Sequence, residues 1–293
     1  MRDYGRITQG SILNNVRVAQ FPGVSFLGII VTARCDIANC KVPKFHYLTA
    51  ATIKDWIRTE GLLLAIQKHY DSEIKQILQE WENLPNHQEM IYYSLDKIIE
   101  SISDACVIEG YTEKSLCAKK KKTIEKLESL RKFTKNTLTE SDADEFLKIE
   151  CIHKQTMNIL QEVIGEKRQH YCFLPHQGYN DVSPENPNRE YDGIIINLLD
   201  INVLDYPTAE KIESQDLDFD KLTSEQIEEY NKMFFLTKSH DIIYPETIIR
   251  SPYLEWVMQK FSNAFIRIGV DYPDKHKAVS HWKENIPFEG DKL

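Results

Sequence analysis

The sequence contains no run approaching the ~20 apolar residues that a bilayer-spanning helix requires, and its opening, MRDYGRITQG, is charged and polar where a secretory signal is apolar. Both absences predict a cytoplasmic chain without a membrane partner. Glycine and proline are sparse, 11 of each in 293 residues. No glycines form a phosphate loop or a dinucleotide fingerprint, and the G-x-S-x-G elbow and H-E-x-x-H helix are also missing. The usual ATPase, Rossmann, serine-hydrolase and zinc-protease readings therefore have no warrant. A two-metal nuclease needs clustered carboxylates with a nearby lysine, and Asp192 precedes its apolar strand without a following Glu-x-Lys.

The six cysteines lack a framework spacing, and three fall in helical-looking stretches, which predicts reduced thiols. Cys35, Cys40, His170 and Cys172 are of the types that hold zinc, but neither cysteine pair has the tight C-x-x-C spacing. No metal and no cofactor is expected. A nucleophilic Cys172 would need His170 or His176 within hydrogen-bond reach, and strand alternation does not place either one there.

What is present is a chain able to fold. Hydrophobic residues make up 42% and aromatics 10%, enough for one large domain or two ordinary ones. The net charge of −9 opposes indiscriminate nucleic-acid binding, which needs a local excess of Lys and Arg. The charge is unevenly distributed. Between Lys114 and Lys135 nine bases, among them Lys119, Lys120, Lys121, Lys122, Arg131 and Lys132, face only Glu125 and Glu128. From Asp181 to Glu229 fourteen acids face only Arg189, Lys211 and Lys221. Such blocks form solvated faces or meet a charged partner, and the basic block is the candidate partner-binding surface.

Residues 1–50 read as β, with the unbroken apolar run Phe26 to Thr32 as the strongest strand, buried on both faces. From Ala51 to about Ile164 apolar residues recur at helical spacing, which predicts four helices in an antiparallel bundle or long arms. Ser141 or Asp142 is the expected cap of the fourth. The β texture returns at His170 to Leu174 and at Tyr191 to Leu204, with a bend expected at Asp200. A helix starting at Ser251-Pro252 and ending at Gly269 carries the stripe Leu254, Val257, Met258, Phe261, Phe265 and Ile268.

The pattern gives an α+β chain. Residues 1–50 and 166–250, the latter within a C-terminal α+β part spanning 166–293, build one small barrel-like β core. The helices of 51–165 are an insertion projecting from it, and the 251–269 helix packs on it. A buried strand that ends in polar residues delivers them to the sheet rim with positional precision. Thr32, Arg34 and Asp36 are therefore the candidate catalytic residues, Asp36 as base, metal ligand or turn cap and Arg34 as its ion-pair partner.

Two resemblances add to this. Gln9-Gly10-Ser11-Ile12-Leu13 followed by Gly28-Ile29-Ile30-Val31-Thr32 resembles the start of a PemK/MazF-type SH3-like barrel. That resemblance implies a toxin ribonuclease in which Thr32 matches the residue ending the central strand, while Phe26-Leu27 stands where the family has Arg-Pro. More broadly, Val31 to Ala38 together with Arg250 to Glu255, Gln259 to Ser262 and Arg267 to Gly269 resembles uncharacterised bacterial proteins of signalling and phage-defence gene clusters. The resulting expectation is a non-catalytic sensor or adaptor that contacts another protein of its system or a second copy of itself. The alternative is an RNA nuclease of the toxin–antitoxin kind.

Overall fold

The structure, a computed structural model, describes residues 6–16, 18–21, 24–81, 89–104, 113–134, 137–180, 192–214, 223, 225 and 243–266. Its six strands are β1 (Ser11–Val16), β2 (Phe26–Ile30), β3 (Lys44–Thr52), β4 (Tyr171–Pro175), β5 (Gly193–Asp205) and β6 (Pro245–Ile248). They form one antiparallel sheet in the order β4-β5-β3-β2-β1-β6, curled into a half-barrel. Strands from the two ends of the sequence thus share one sheet, through β3 with β5 and β1 with β6.

A short α1 (Arg34–Ala38) follows β2. After β3 come α2 (Ile53–Arg58), α3 (Glu60–Gln79), α4 (Leu95–Asp104), α5 (Glu113–Ser129), α6 (Glu140–Leu147) and α7 (Glu150–Ile164). The helix α8 (Tyr206–Ser214) continues directly from β5, and α9 (Tyr253–Ile266) follows β6. No helix among the described residues is long and apolar enough to cross a membrane.

Local chemistry explains the breaks. Thr52 caps α2 by accepting from Asp55 N–H, and the chain turns at Thr59, so the helical stretch begins as two pieces. At Gly61 a Cβ would stand 2.5 Å from the Trp56 ring, so glycine there lets α2 fold back on α3. The cap of the fourth predicted helix is Thr139 rather than Ser141 or Asp142. Thr139 and Asp142 form a reciprocal capping box, and the helix divides into α6 and α7 at Lys148. The predicted start Ser251-Pro252 precedes α9 by one turn residue, and Leu254 and Val257 are buried while Phe265 is exposed. Gly269 and Ile268 lie outside the described residues, as do 181–191, 215–222, 224 and 226–229 of the acidic block. Three elements, α1, α8 and β6, are absent from the sequence reading.

Each face of the sheet has its own apolar cluster. Leu13, Phe26, Ile30, Tyr47, Ala51 and Ile195 look toward the helices, where they join Trp56, Leu62, Ile66 and Ile159 in a continuous cluster. Ile12, Ile29, Leu48, Ala50, Cys172 and Ile196 look the other way, toward Leu254 and Val257 of α9. The β2 strand contributes to both, as its unbroken apolar run requires.

The register between β3 and β5 positions everything that follows. Ala50 pairs with Ile196 and Leu48 with Ile201, so two residues of β3 are matched by five of β5. The three extra residues are an odd number, and with a side-chain period of two they exchange the faces of β5. Before the break Ile195 looks toward the helices; after it Leu204 does. The bend expected at Asp200 falls within this break.

Candidate functional site

The predicted rim residues go to three different places. Thr32 is buried just past β2, and its Oγ1 accepts from His46 N–H at 2.6 Å while Val31 N–H donates to the His46 carbonyl at 2.9 Å. The hydroxyl therefore continues the β2–β3 ladder. Asp36 is half-buried in the single turn of α1, with the Cys35 thiol 3.7 Å from its Oδ1. Arg34 is exposed and lines a cleft of about 390 Å³ together with Arg6, Cys40, Tyr206, Glu210 and Glu213. Cys40 adopts φ 51°, and its Sγ lies 3.4 Å from the Tyr206 hydroxyl. The hydrogen bond with Cys40, and then the charge of that group, push the Tyr206 phenol up to about 12. Glu213 Oε1 accepts the Ile7 N–H at 2.5 Å. A cleft of this size with both signs of charge on its walls suits a small polar molecule. Arg34 faces it, whereas Thr32 and Asp36 are not among its walls.

A second polar cluster lies between the sheet and the start of α3 and was missed by the sequence reading. Glu60, the first residue of α3, accepts from Asn197 Nδ2 at 3.2 Å and from the Tyr171 phenol. Asp200 accepts from Thr49 Oγ1 at 2.5 Å and from Asn202 Nδ2 at 3.1 Å. Burial raises the Glu60 carboxyl above the usual range, the hydrogen bonds from Asn197 and Tyr171 pull it back, and the Asp200 charge raises it again. The buried Trp56 indole N–H faces Glu60 closely enough to favour its charged form, yet it makes no hydrogen bond of good geometry. Burial and then the nearby carboxylates also raise the phenols of Tyr47, beside Asp200, and Tyr171, beside Glu60. The Glu60 carboxyl therefore holds its proton more tightly than a free glutamate does, with a second carboxyl close by at Asp200. The residues of this cluster are far apart in sequence and joined only by the register break.

The basic block splits by role. Lys119 Nζ donates to the Glu80 carbonyl at the end of α3 and stands 4.8 Å over the Trp81 ring. Lys120 Nζ donates to the Ser103 carbonyl in the last turn of α4. Each ammonium meets the negative end of a helix dipole. Arg131 pairs with Asp96 at 2.6 Å and with Glu128, and Lys132 lies over the Phe133 ring. Lys121 and Lys122 are exposed.

Cysteine and histidine chemistry finds no cluster. Cys35 and Cys40 are exposed near α1, while Cys172 is buried on β4 facing α9. Burial pushes the Cys172 thiol up to about 12, which leaves it protonated and a poor nucleophile at neutral pH. Among the described residues no three of His, Cys, Asp and Glu come together as metal ligands.

The remaining feature is a sheet edge that no described strand covers. The β4 strand pairs with β5 only from Gly193 to Asn197, with a last bond from Leu198 N–H to the His170 carbonyl. From Leu199 to Asp205, β5 has β3 on one side and no described strand on the other. Tyr206 N–H donates to the Pro43 carbonyl. By antiparallel alternation, Asn202 and Leu204 then exchange hydrogen bonds with β3, and Ile201 and Val203 turn their N–H and C=O groups outward. The Ile201 and Val203 side chains lie on the face toward α9 but remain 40% (Ile201) and 40% (Val203) exposed, and the neighbouring Leu199 is 49% exposed. Comparison with protein-family models, with curated proteins and with solved structures finds no match for this chain.

Proposed function

We propose that this chain is a non-catalytic sensor or adaptor that works by binding a protein partner. The supporting observation is the half-paired β5, whose outward backbone groups at Ile201 and Val203 coincide with exposed apolar side chains. An edge with those two properties is a template for strand addition, and natural sheets ordinarily guard such edges with lysine, proline or a covering element. On this reading the helices between β3 and β4 are an insertion into the sheet's chain order. Their outer basic residues Lys121 and Lys122 form a second, electrostatic contact surface. The resemblance to proteins of bacterial signalling and phage-defence clusters sets the proposed context. The test is a phage-challenge or growth assay comparing the wild type with Ile201→Lys and Val203→Lys proteins of unchanged thermal stability. Loss of activity in both supports the reading, and full activity in both rejects it.

The second reading, an RNA nuclease, is favoured by one observation, the Glu60–Asp200 pair, because a carboxyl that holds its proton more tightly than usual beside a second carboxyl is a combination from which acid and base roles can be built. Purified wild type that cleaves RNA, with Glu60→Gln inactive but folded, would select this reading over the adaptor.

A further inference from the structure

The partner-binding reading leaves the partner open, and we infer that the open edge of β5 is filled by β5 of a second copy of this chain, running antiparallel across a two-fold axis. The inference rests on that reading and deepens it.

The edge is self-complementary. Antiparallel pairing of a strand with itself brings outward-facing residues of one copy against outward-facing residues of the other, and here these are the odd-numbered residues. The free edge runs from Asp200 to Asp205, because β4 holds the strand up to Leu198, the Leu199 N–H already donates to Asn197 Oδ1 at 3.1 Å, and α8 begins at Tyr206. Symmetric registers centred on Ile201, Asn202 or Val203 fit it, and in the last of these Val203 meets itself and Ile201 meets Asp205. Centred on Ile201, Ile201 meets itself, Leu199 meets Val203 of the second copy, and Asp200 meets Asn202. Centred on Asn202, Ile201 meets Val203 of the second copy and Asn202 meets itself. Each register sets Ile201 or Val203 against an apolar side chain of the second copy, at the axis or next to it, and none places an aspartate opposite an aspartate. Directly opposed like charges are what disfavour a strand pair.

The occupied side of the strand shows why no other part of β5 serves. Residues 193–197 are already held between β4 and β3, and Asn202 and Leu204 face β3. The register break is the device that makes this edge. It carries β5 past the end of β4 and turns Ile201 and Val203 onto the face that α9 leaves partly uncovered. An isologous contact of this kind closes at two copies, so it ends in a dimer and not a fibre.

Sedimentation of the full chain over a concentration series tests the inference. The expected result is a concentration-dependent dimer for the wild type. Ile201→Lys and Val203→Lys each place a lysine from both copies within the paired strands and should weaken association by at least about tenfold with melting temperature unchanged. A wild type that stays monomeric at every concentration overturns the self-pairing, as does a dimer that persists undiminished in both lysine variants. The same variants in the cell assay separate the two ideas. A monomeric wild type whose lysine variants lose activity means that the edge meets a different protein, so the self-pairing falls while the adaptor reading stands. Lysine variants that are monomeric yet fully active would mean that dimerisation is real and the adaptor reading is wrong.

Discussion

Thr49 donates its hydroxyl hydrogen to Asp200 Oδ2 at 2.5 Å, a bond that spans the register break between β3 and β5. Thr49 is almost fully buried, and it is the one β3 residue standing opposite the four residues of β5 that have no ladder partner there. The bond therefore pins the place where β5 changes faces. Replacing Thr49 by valine keeps the shape and removes the donor. Loss of a hydrogen bond to a charged group should lower unfolding free energy by about 2 kcal/mol, read from a urea titration. An unchanged midpoint would mean that the break holds without it.

Glu60 should make stability pH-dependent. Its folded-state carboxyl lies above the usual range because of burial. The folded protein thus binds that proton more tightly than the unfolded chain does. The associated stability is fully present below the unfolded value, about 4.3, and is lost as pH rises through the raised folded value. Glu60→Gln keeps an acceptor for Asn197 and Tyr171 but cannot ionise. Thermal melts from pH 4 upward should show the wild type losing stability relative to the variant as pH rises. Parallel curves would show that Glu60 does not titrate differently on folding.

Gly61 sets two effects against each other. Alanine in a helix is favoured over glycine by about 1 kcal/mol, but the added Cβ would lie 2.5 Å from the Trp56 ring. Overpacking against a buried ring and a helix backbone costs about 1–3 kcal/mol and should win. Gly61→Ala is therefore expected to melt lower than the wild type, and a higher melting temperature would show that Trp56 moves aside freely.

The lysines of α5 should divide in the same way. Lys119 holds a helix-end carbonyl and an aromatic face, so Lys119→Ala should cost about 1 kcal/mol in a denaturant titration. Reversing Lys121 and Lys122 to glutamate should leave stability within about 0.5 kcal/mol. Equal losses from both changes would place all of these lysines in the fold's own contacts.

The legible part of this fold was the part with strong periodicity. The apolar run of β2, the helical spacing after β3 and the strands β4 and β5 all follow from residue pattern, because burial on one or two faces dictates it. The β6 strand is only Pro245–Ile248 and exposes Ile248, too short and too wet to signal itself. The α8 helix follows β5 without a separating turn signal, and its apolar residues are few. The candidate site was least legible. The pattern rules point to the end of the strongest strand, where Thr32 proves to serve the ladder. The Glu60 cluster and the open edge both depend on three extra residues in β5. A count of apolar positions across Ile194 to Leu204 assumes unbroken alternation, and it therefore assigns Ile201 and Val203 to the wrong face.

If β5 pairs with a second copy, the outward amides of Ile201 and Val203 are open in the single chain and become covered by association. Residue-resolved amide hydrogen exchange measures this directly. In dilute protein the Ile201 and Val203 amides should exchange at least about tenfold faster than those of Asn202 and Leu204, which are tied to β3. The gap should close as concentration is raised. Equal protection of all four amides at the lowest concentration would contradict the account, because the edge would then already be covered within one chain.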